Sequence, residues 1–320
     1  MLGFILFVFL VVYIAASYIV YDRLSKVDAG GGDSADNTPA HFVVTDTKWA
    51  GFDTTSYEME LFDEVHFPSR QPGLALAGWF VPTSPDAPAI ILTHGLNGCK
   101  CTGRMLTVAG MLHRNGFNVL LYDLRDHGQS DIEDGRAALG NEEYLDLLGA
   151  WDWLQQEKQF APERIGAFGE SLGAGTTLIA FGQEPRLTAA FVDSPYTDLS
   201  TIIDEELDRN HYPRFLVPGG LMVARVVAAD DLLAFSPQDA ILNDNGRPLY
   251  IVHGTGDTRI NVHHSRDLAA LATQTGTNLT TWIPKNIDHV NTVLTLPNEY
   301  ERRLVTFFDH ALRAGSLLNH

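Results

Sequence analysis

Ser171, Asp257 and His289 are side chains whose types and order suit nucleophilic acyl transfer. A serine hydroxyl is a weak nucleophile near neutral pH until a base takes its proton, and an imidazole does this best when a carboxylate orients it. Ser171 lies in Gly169-Glu170-Ser171-Leu172-Gly173, after the apolar run 164–168 and before a stretch of small and apolar residues. This reads as strand, sharp turn, helix, a setting in which a serine is held strained with its hydroxyl exposed above a sheet edge. Asp257 follows the strand-like run 248–252, and His289 comes after the run 279–283 and before a final helical stretch. Two other carboxylates compete for the acid's role. Asp193 ends the preceding strand, and Asp288 is the immediate neighbour of His289, from which its reach to the ring nitrogen is awkward. Asp257 is the preferred acid.

A tetrahedral intermediate places negative charge where two fixed N–H donors should point. The expected donors of this oxyanion hole are the backbone amides of Leu172, at the start of the helix after Ser171, and Leu96, in His94-Gly95-Leu96-Asn97-Gly98. His94 is read as a residue that holds this loop by hydrogen bonds and not as a base.

These residues need a sheet to bring them together. Strand-like runs at 60–67 and 74–81 flank a turn-rich connection, and 89–93 is too continuously apolar for a strand with only one covered face. From there helical and strand patterns alternate: helix 104–114, strand 118–122, helix 142–155, the Ser171 strand and helix, strand 189–192, strand 248–252, helix 262–274, strand 279–283 and helix 298–312. That rhythm predicts an α/β fold with a mostly parallel, doubly wound sheet and an antiparallel N-terminal edge. Residues 199–233 break the rhythm and are expected to form a short lid insertion, with Phe215, Leu216, Leu221 and Met222 contacting an acyl substrate.

With these segments in hand, the chain resembles an α/β-hydrolase over about Phe52 to Leu312. The run Asp123-Leu124-Arg125-Asp126-His127-Gly128-Gln129-Ser130 resembles the D-x-R-x-H-G-x-S loop of serine hydrolases that carry an N-terminal membrane anchor, including BEM46-like and depalmitoylase-type proteins. The resemblance implies a Ser-His-Asp hydrolase, with Arg125 and His127 ordering their loop; the triad together with an N-terminal anchor that would hold the site near lipid leads to the expectation of carboxylic ester or thioester cleavage without cofactor or metal. A peptidase or amidase of the same fold is the alternative, and a non-catalytic scaffold is a more remote one.

Residues 1–21 contain no charged side chain, and about 21 residues at about 1.5 Å each cross a hydrocarbon core of about 30 Å. A transmembrane anchor over 1–21, a flexible linker over 22–51 and a hydrolase domain over 52–320 are expected. Arg23 and Lys26 follow the apolar run, which places the domain in the cytoplasm by the positive-inside rule; Ala15-Ala16-Ser17 leaves signal cleavage, with a secreted or periplasmic domain, as the alternative. The sequon Asn278-Leu279-Thr280 conflicts with the cytoplasmic placement. With 22 basic and 40 acidic residues the net charge is −18, which argues against nucleic acid as a partner. Cys99 and Cys101 are too few for a zinc site and, one residue apart, are expected not to bond each other.

Overall fold

The computed structural model describes residues 1–28, 36–229 and 231–313. Its strands are β1 (Asp63–Pro68), β2 (Ala75–Val81), β3 (Ala89–Thr93), β4 (Asn118–Tyr122), β5 (Ile165–Glu170), β6 (Ala189–Asp193), β7 (Leu249–Val252) and β8 (Leu279–Trp282). Its helices are α1 (Leu2–Ser25), α2 (Gly103–Arg114), α3 (Glu143–Gln156), α4 (Leu172–Gln183), α5 (Leu199–Arg209), α6 (Val217–Val223), α7 (Asp239–Leu242), α8 (His263–Thr275), α9 (Thr292–Thr295) and α10 (Pro297–Leu312).

The eight strands form one sheet in the order β1-β2-β4-β3-β5-β6-β7-β8. β2 pairs antiparallel with β1 and β4, and every other pairing is parallel. This is the expected α/β-hydrolase architecture with its antiparallel edge. The period-2 alternation of a strand sends Ala89 and Ile91 of β3 into one core and Ile90 and Leu92 into the other. On the first face lie α3, α4 and α8, with Trp151, Phe181 and Leu268 buried; on the second lie α2 and α10, with Met105, Leu304 and Phe308. Burial on both faces is why β3 and β4 read as uninterrupted apolar runs.

The described residues of 199–233 contain α5, α6 and a π-helical turn over Ala224–Ala228, a segment termed the cap below. The cap meets the end of α1, where Ser17, Val20, Tyr21 and Ser25 are buried. Within the 22–51 segment, residues 29–35 lie outside the described residues. On one side of them the Val27 N–H donates to the Gly135 carbonyl at 2.9 Å, and on the other Phe42 is buried and Asn37 bonds both Val43 and Cys101.

One expectation is corrected. Cys99 and Cys101 form a disulfide, because a turn closed by the Thr102 N–H on the Cys99 carbonyl brings their Cα atoms to 5.0 Å, within the range such a bond needs. Lys100 at the centre of the turn is buried, its N–H and Nζ both on the Asp123 carboxylate.

Candidate active site

Ser171 sits between β5 and α4 with φ +56° and ψ −119°. A non-glycine residue in this region carries roughly 1–3 kcal/mol of backbone strain, which the surroundings must over-determine. The two flanking glycines show how tightly they do so. A Cβ on Gly169 would lie 2.1 Å from the Gly173 carbonyl oxygen, and one on Gly173 would lie 2.2 Å from that of Thr93. Only backbone without side chains lets the turn pass between β3 and α4.

The loop after β7 brings Asp257 and the loop after β8 brings His289 to the same point. His289 Nε2 is 2.9 Å from Ser171 Oγ, and its Nδ1 is 2.7 Å from Asp257 Oδ2. The other oxygen, Oδ1, accepts the N–H groups of Arg259 and Ile260, each at 2.8 Å. Burial alone would raise the pKa of Asp257, but hydrogen bonds from His253 and His289 outweigh it and hold the carboxyl well below the usual range.

The two rival carboxylates are engaged elsewhere. Asp193 is buried and accepts Ser194 Oγ and Tyr300 Oη; burial pushes its pKa up to about 6. Asp288 Oδ1 accepts the Thr258 N–H and hydroxyl and the His289 N–H, so it ties the acid loop to the histidine loop through the backbone.

The loop after β3 runs directly over the serine. A Cβ on Gly95 would come within 3.1 Å of Ser171 Cβ. Among the described residues, neither the Leu96 nor the Leu172 N–H has a protein acceptor, which leaves both available to a ligand. Two buried histidines hold this loop. His94 Nδ1 donates to the Gly95 carbonyl at 2.8 Å and its Nε2 accepts the Leu124 N–H at 3.1 Å. His127 Nδ1 donates to the Arg125 carbonyl at 2.7 Å, leaving Nε2 to accept the Asn97 N–H at 3.3 Å. Arg125 is buried against Asp146 and reaches Gln71 and Glu133.

Burial, reinforced by the neighbouring His127, depresses the pKa of His94 to about 4. A group depressed in the folded state contributes stability that is complete above its unfolded value, near 6.5, and is lost as pH falls towards 4. The loss has an upper size of about 3 kcal/mol. We expect the denaturant midpoint of the wild type to fall over this window and that of His94→Gln to fall less steeply; parallel profiles would show that His94 is not the group responsible.

Sequence reasoning missed His253, at the end of β7. It is buried, with Nε2 2.9 Å from the Ile260 carbonyl and 3.2 Å from Asp257 Oδ2, and Nδ1 2.6 Å from Ser265 Oγ. Two acceptors at Nε2 place the proton there. Its position four residues before Asp257, directly after a strand, was the available signal. Of the four cap residues, Leu216 and Leu221 line an apolar pocket, while Phe215 and Met222 lie on the outer surface. Glu205, His263 and His264 bring possible metal-ligating atoms within 4.8 Å of one another. His264 Nδ1 accepts the Thr197 N–H at 3.1 Å, however, so in the neutral ring Nε2 carries the proton and donates to Glu205.

Known proteins place the chain in a family. The esterase Pf2001 of Pyrococcus furiosus superposes with a TM-score of 0.64 at 20% identity, covering 82% of this chain and 95% of that one. The α/β hydrolase GrgF from a Penicillium species gives 0.63 at 18%, covering 79% and 99%. In sequence, the uncharacterized protein YfhR of Escherichia coli O157:H7 is 28% identical over 72% of this chain and 74% of its own length. The uncharacterized protein Rv2307c of Mycobacterium tuberculosis is 34% identical over 45% of this chain, and the match spans 47% of that relative. The model of the prolyl oligopeptidase family matches residues 105–315. The chain therefore belongs to the prolyl oligopeptidase family, within the serine hydrolases of the α/β-hydrolase fold.

Proposed function

We propose that this protein is a membrane-anchored serine hydrolase that cleaves carboxylic esters or thioesters through an acyl-enzyme on Ser171. The observation that carries this reading is the continuous path Ser171 Oγ, His289 Nε2, His289 Nδ1, Asp257 Oδ2, with links of 2.9 and 2.7 Å. As Oγ attacks the substrate carbonyl carbon, its proton moves to Nε2, and the developing imidazolium is stabilised by Asp257. The carbonyl oxygen becomes an oxyanion received by the Leu96 and Leu172 amides. Collapse of the intermediate breaks the bond to the leaving oxygen or sulfur, which takes the proton from Nε2. A water then gives its proton to Nε2 as it attacks the acyl-enzyme, and collapse of this second intermediate breaks the ester bond to Ser171 Oγ, which takes the proton back from Nε2 as the acid leaves.

The anchor is α1, a helix long and apolar enough to cross a membrane. The Cys99–Cys101 disulfide, like the exposed sequon at Asn278, supports an oxidising compartment for the domain over the cytoplasmic side expected from charge.

A second reading, peptide hydrolysis, draws support from the family match. An acylaminoacyl peptidase of Pyrococcus horikoshii also shares the fold, with this chain spanning 42% of it. Turnover of p-nitrophenyl esters compared with p-nitroanilides of the same acyl group decides between them. We expect ester turnover that is abolished in Ser171→Ala, with little anilide turnover. Preferential cleavage of peptidyl anilides would overturn the esterase reading.

A further inference from the structure

The C-terminal half of α1 is not free to act as a simple tether. Tyr13 Oη donates to the Phe215 carbonyl at 3.1 Å and its ring stacks on that of Phe215. Ser17 packs against Gly219, where a Cβ would come within 2.1 Å of the serine hydroxyl. Asp22 pairs with Arg136 at 2.6 Å, and the Ser25 carbonyl accepts the Ala137 N–H at 2.7 Å. The remainder, Leu2 to Val12, is exposed and supplies about 16 Å of helix at about 1.5 Å per residue, roughly half of a hydrocarbon core of about 30 Å. A bilayer that covers α1 must therefore also reach the cap packed beside it. The cap is dressed for this: Val226 is 77% exposed, Phe215 68%, Val227 57% and Met222 47%. Apolar exposure on this scale marks an interaction surface, and its continuity with an exposed apolar helix marks lipid as what covers it.

Behind this face, between α1 and the cap, lies a narrow apolar pocket of about 60 Å³ that opens to solvent. Val20, Leu24, Ile203, Leu207, Leu216 and Leu221 form most of its wall. Of its polar lining, Ser25 Oγ already donates to the Tyr21 carbonyl at 2.8 Å. Such a wall suits a hydrocarbon chain and offers little to a charged or hydrogen-bonding group. No triad residue lines the pocket itself, but two chains of contacts run from this region towards the nucleophile. Leu139 lines the pocket and its carbonyl accepts Tyr196 Oη at 2.7 Å; that tyrosine lies against Gly175, whose N–H bonds the Ser171 carbonyl. Beyond the end of α1, the Asp28 N–H donates to Asn97 Oδ1 at 2.8 Å, beside the Leu96 amide.

Resting on the reading of Ser171 as an acyl-transfer nucleophile and of α1 as a membrane helix, we propose that the cap is seated in the bilayer and that the pocket between α1, α5 and α6 receives the acyl chain of a membrane lipid ester. Gly220 gives the sharpest test of the pocket. It lines the wall, and a Cβ there meets nothing within 4 Å, so a side chain can be added beside the pocket without a clash.

The full chain is reconstituted in phosphatidylcholine vesicles and assayed on p-nitrophenyl esters from acetyl to palmitoyl. Gly220→Ala, Gly220→Leu and Gly220→Phe should move the preferred chain stepwise to shorter lengths, with at least a tenfold fall in the long-to-short kcat/KM ratio for Phe. Leu221→Ala should move it to longer ones. In parallel, a fluorophore on Val226→Cys should be quenched by brominated lipid. Length profiles that superimpose on the wild type in all four variants would overturn the acyl pocket while leaving esterase activity standing. Absence of quenching, or crosslinking of this position between two copies, would overturn the seated cap. Absence of wild-type turnover at every length would overturn the esterase reading and this proposal with it.

Discussion

Asp257→Asn is expected to lower kcat by about 10⁴-fold and Asp193→Asn to leave it unchanged. The size of the first effect follows from the geometry of the carboxylate. Oδ1 accepts two backbone N–H groups, from Arg259 and Ile260, so an asparagine must place its own oxygen there. Its NH₂ group then stands where Oδ2 was, 2.7 Å from His289 Nδ1, and can only donate. The ring responds by carrying its proton on Nε2, facing Ser171, and can no longer accept the proton of the hydroxyl. The same NH₂ also meets the Nε2–H of His253 as donor against donor. Asp193 stands outside this circuit, bonded to Ser194 and Tyr300. Its pKa, raised to about 6 by burial, means that ionisation opposes folding as pH rises from about 3.8 to 6. Asp193→Asn is thus expected to hold or gain stability at pH 8. Steady-state kinetics of the two variants beside the wild type checks the pair; equal losses would mean that the acid is misassigned.

The second large effect is on stability. Arg125→Met is expected to cost roughly 3–5 kcal/mol, because it strands the fully buried Asp146 without its cation. Asp146 accepts both the backbone N–H and the guanidinium of Arg125. Denaturant unfolding of the variant beside the wild type measures the loss. The variant should also weaken the site. The Arg125 carbonyl fixes the tautomer of His127, whose other nitrogen holds the Asn97 amide next to Leu96. A variant as stable as the wild type would show that the ion pair is dispensable.

The sheet could be read in the sequence because strands buried on both faces leave unbroken apolar runs, as at 89–93 and 118–122, and because turn and helix signals separate them. What could not be read depended on contacts between distant segments. The disulfide arises from a turn pinned by Lys100 on Asp123, a long-range ion pair that residue spacing does not reveal. Docking of α1 was equally hidden, since an apolar helix reads the same in lipid or against protein, and the small pair Ser17 and Gly219 has meaning only once both helices are placed. The preference for Asp257 over Asp193 and Asp288 was available from its place after a strand, but what the other two carboxylates bond was not. For His253, the residue type and its distance from Asp257 were visible, but its contact with the carboxylate was not.

The proposed hydrolysis rests on Ser171 as the nucleophile and His289 as its base. Treatment of the full chain with a fluorophosphonate followed by peptide mass analysis tests it most directly. A single adduct is expected on the peptide carrying Ser171, absent in Ser171→Ala and formed far more slowly in His289→Ala. An adduct on another residue, or undiminished labelling of Ser171→Ala, would contradict it.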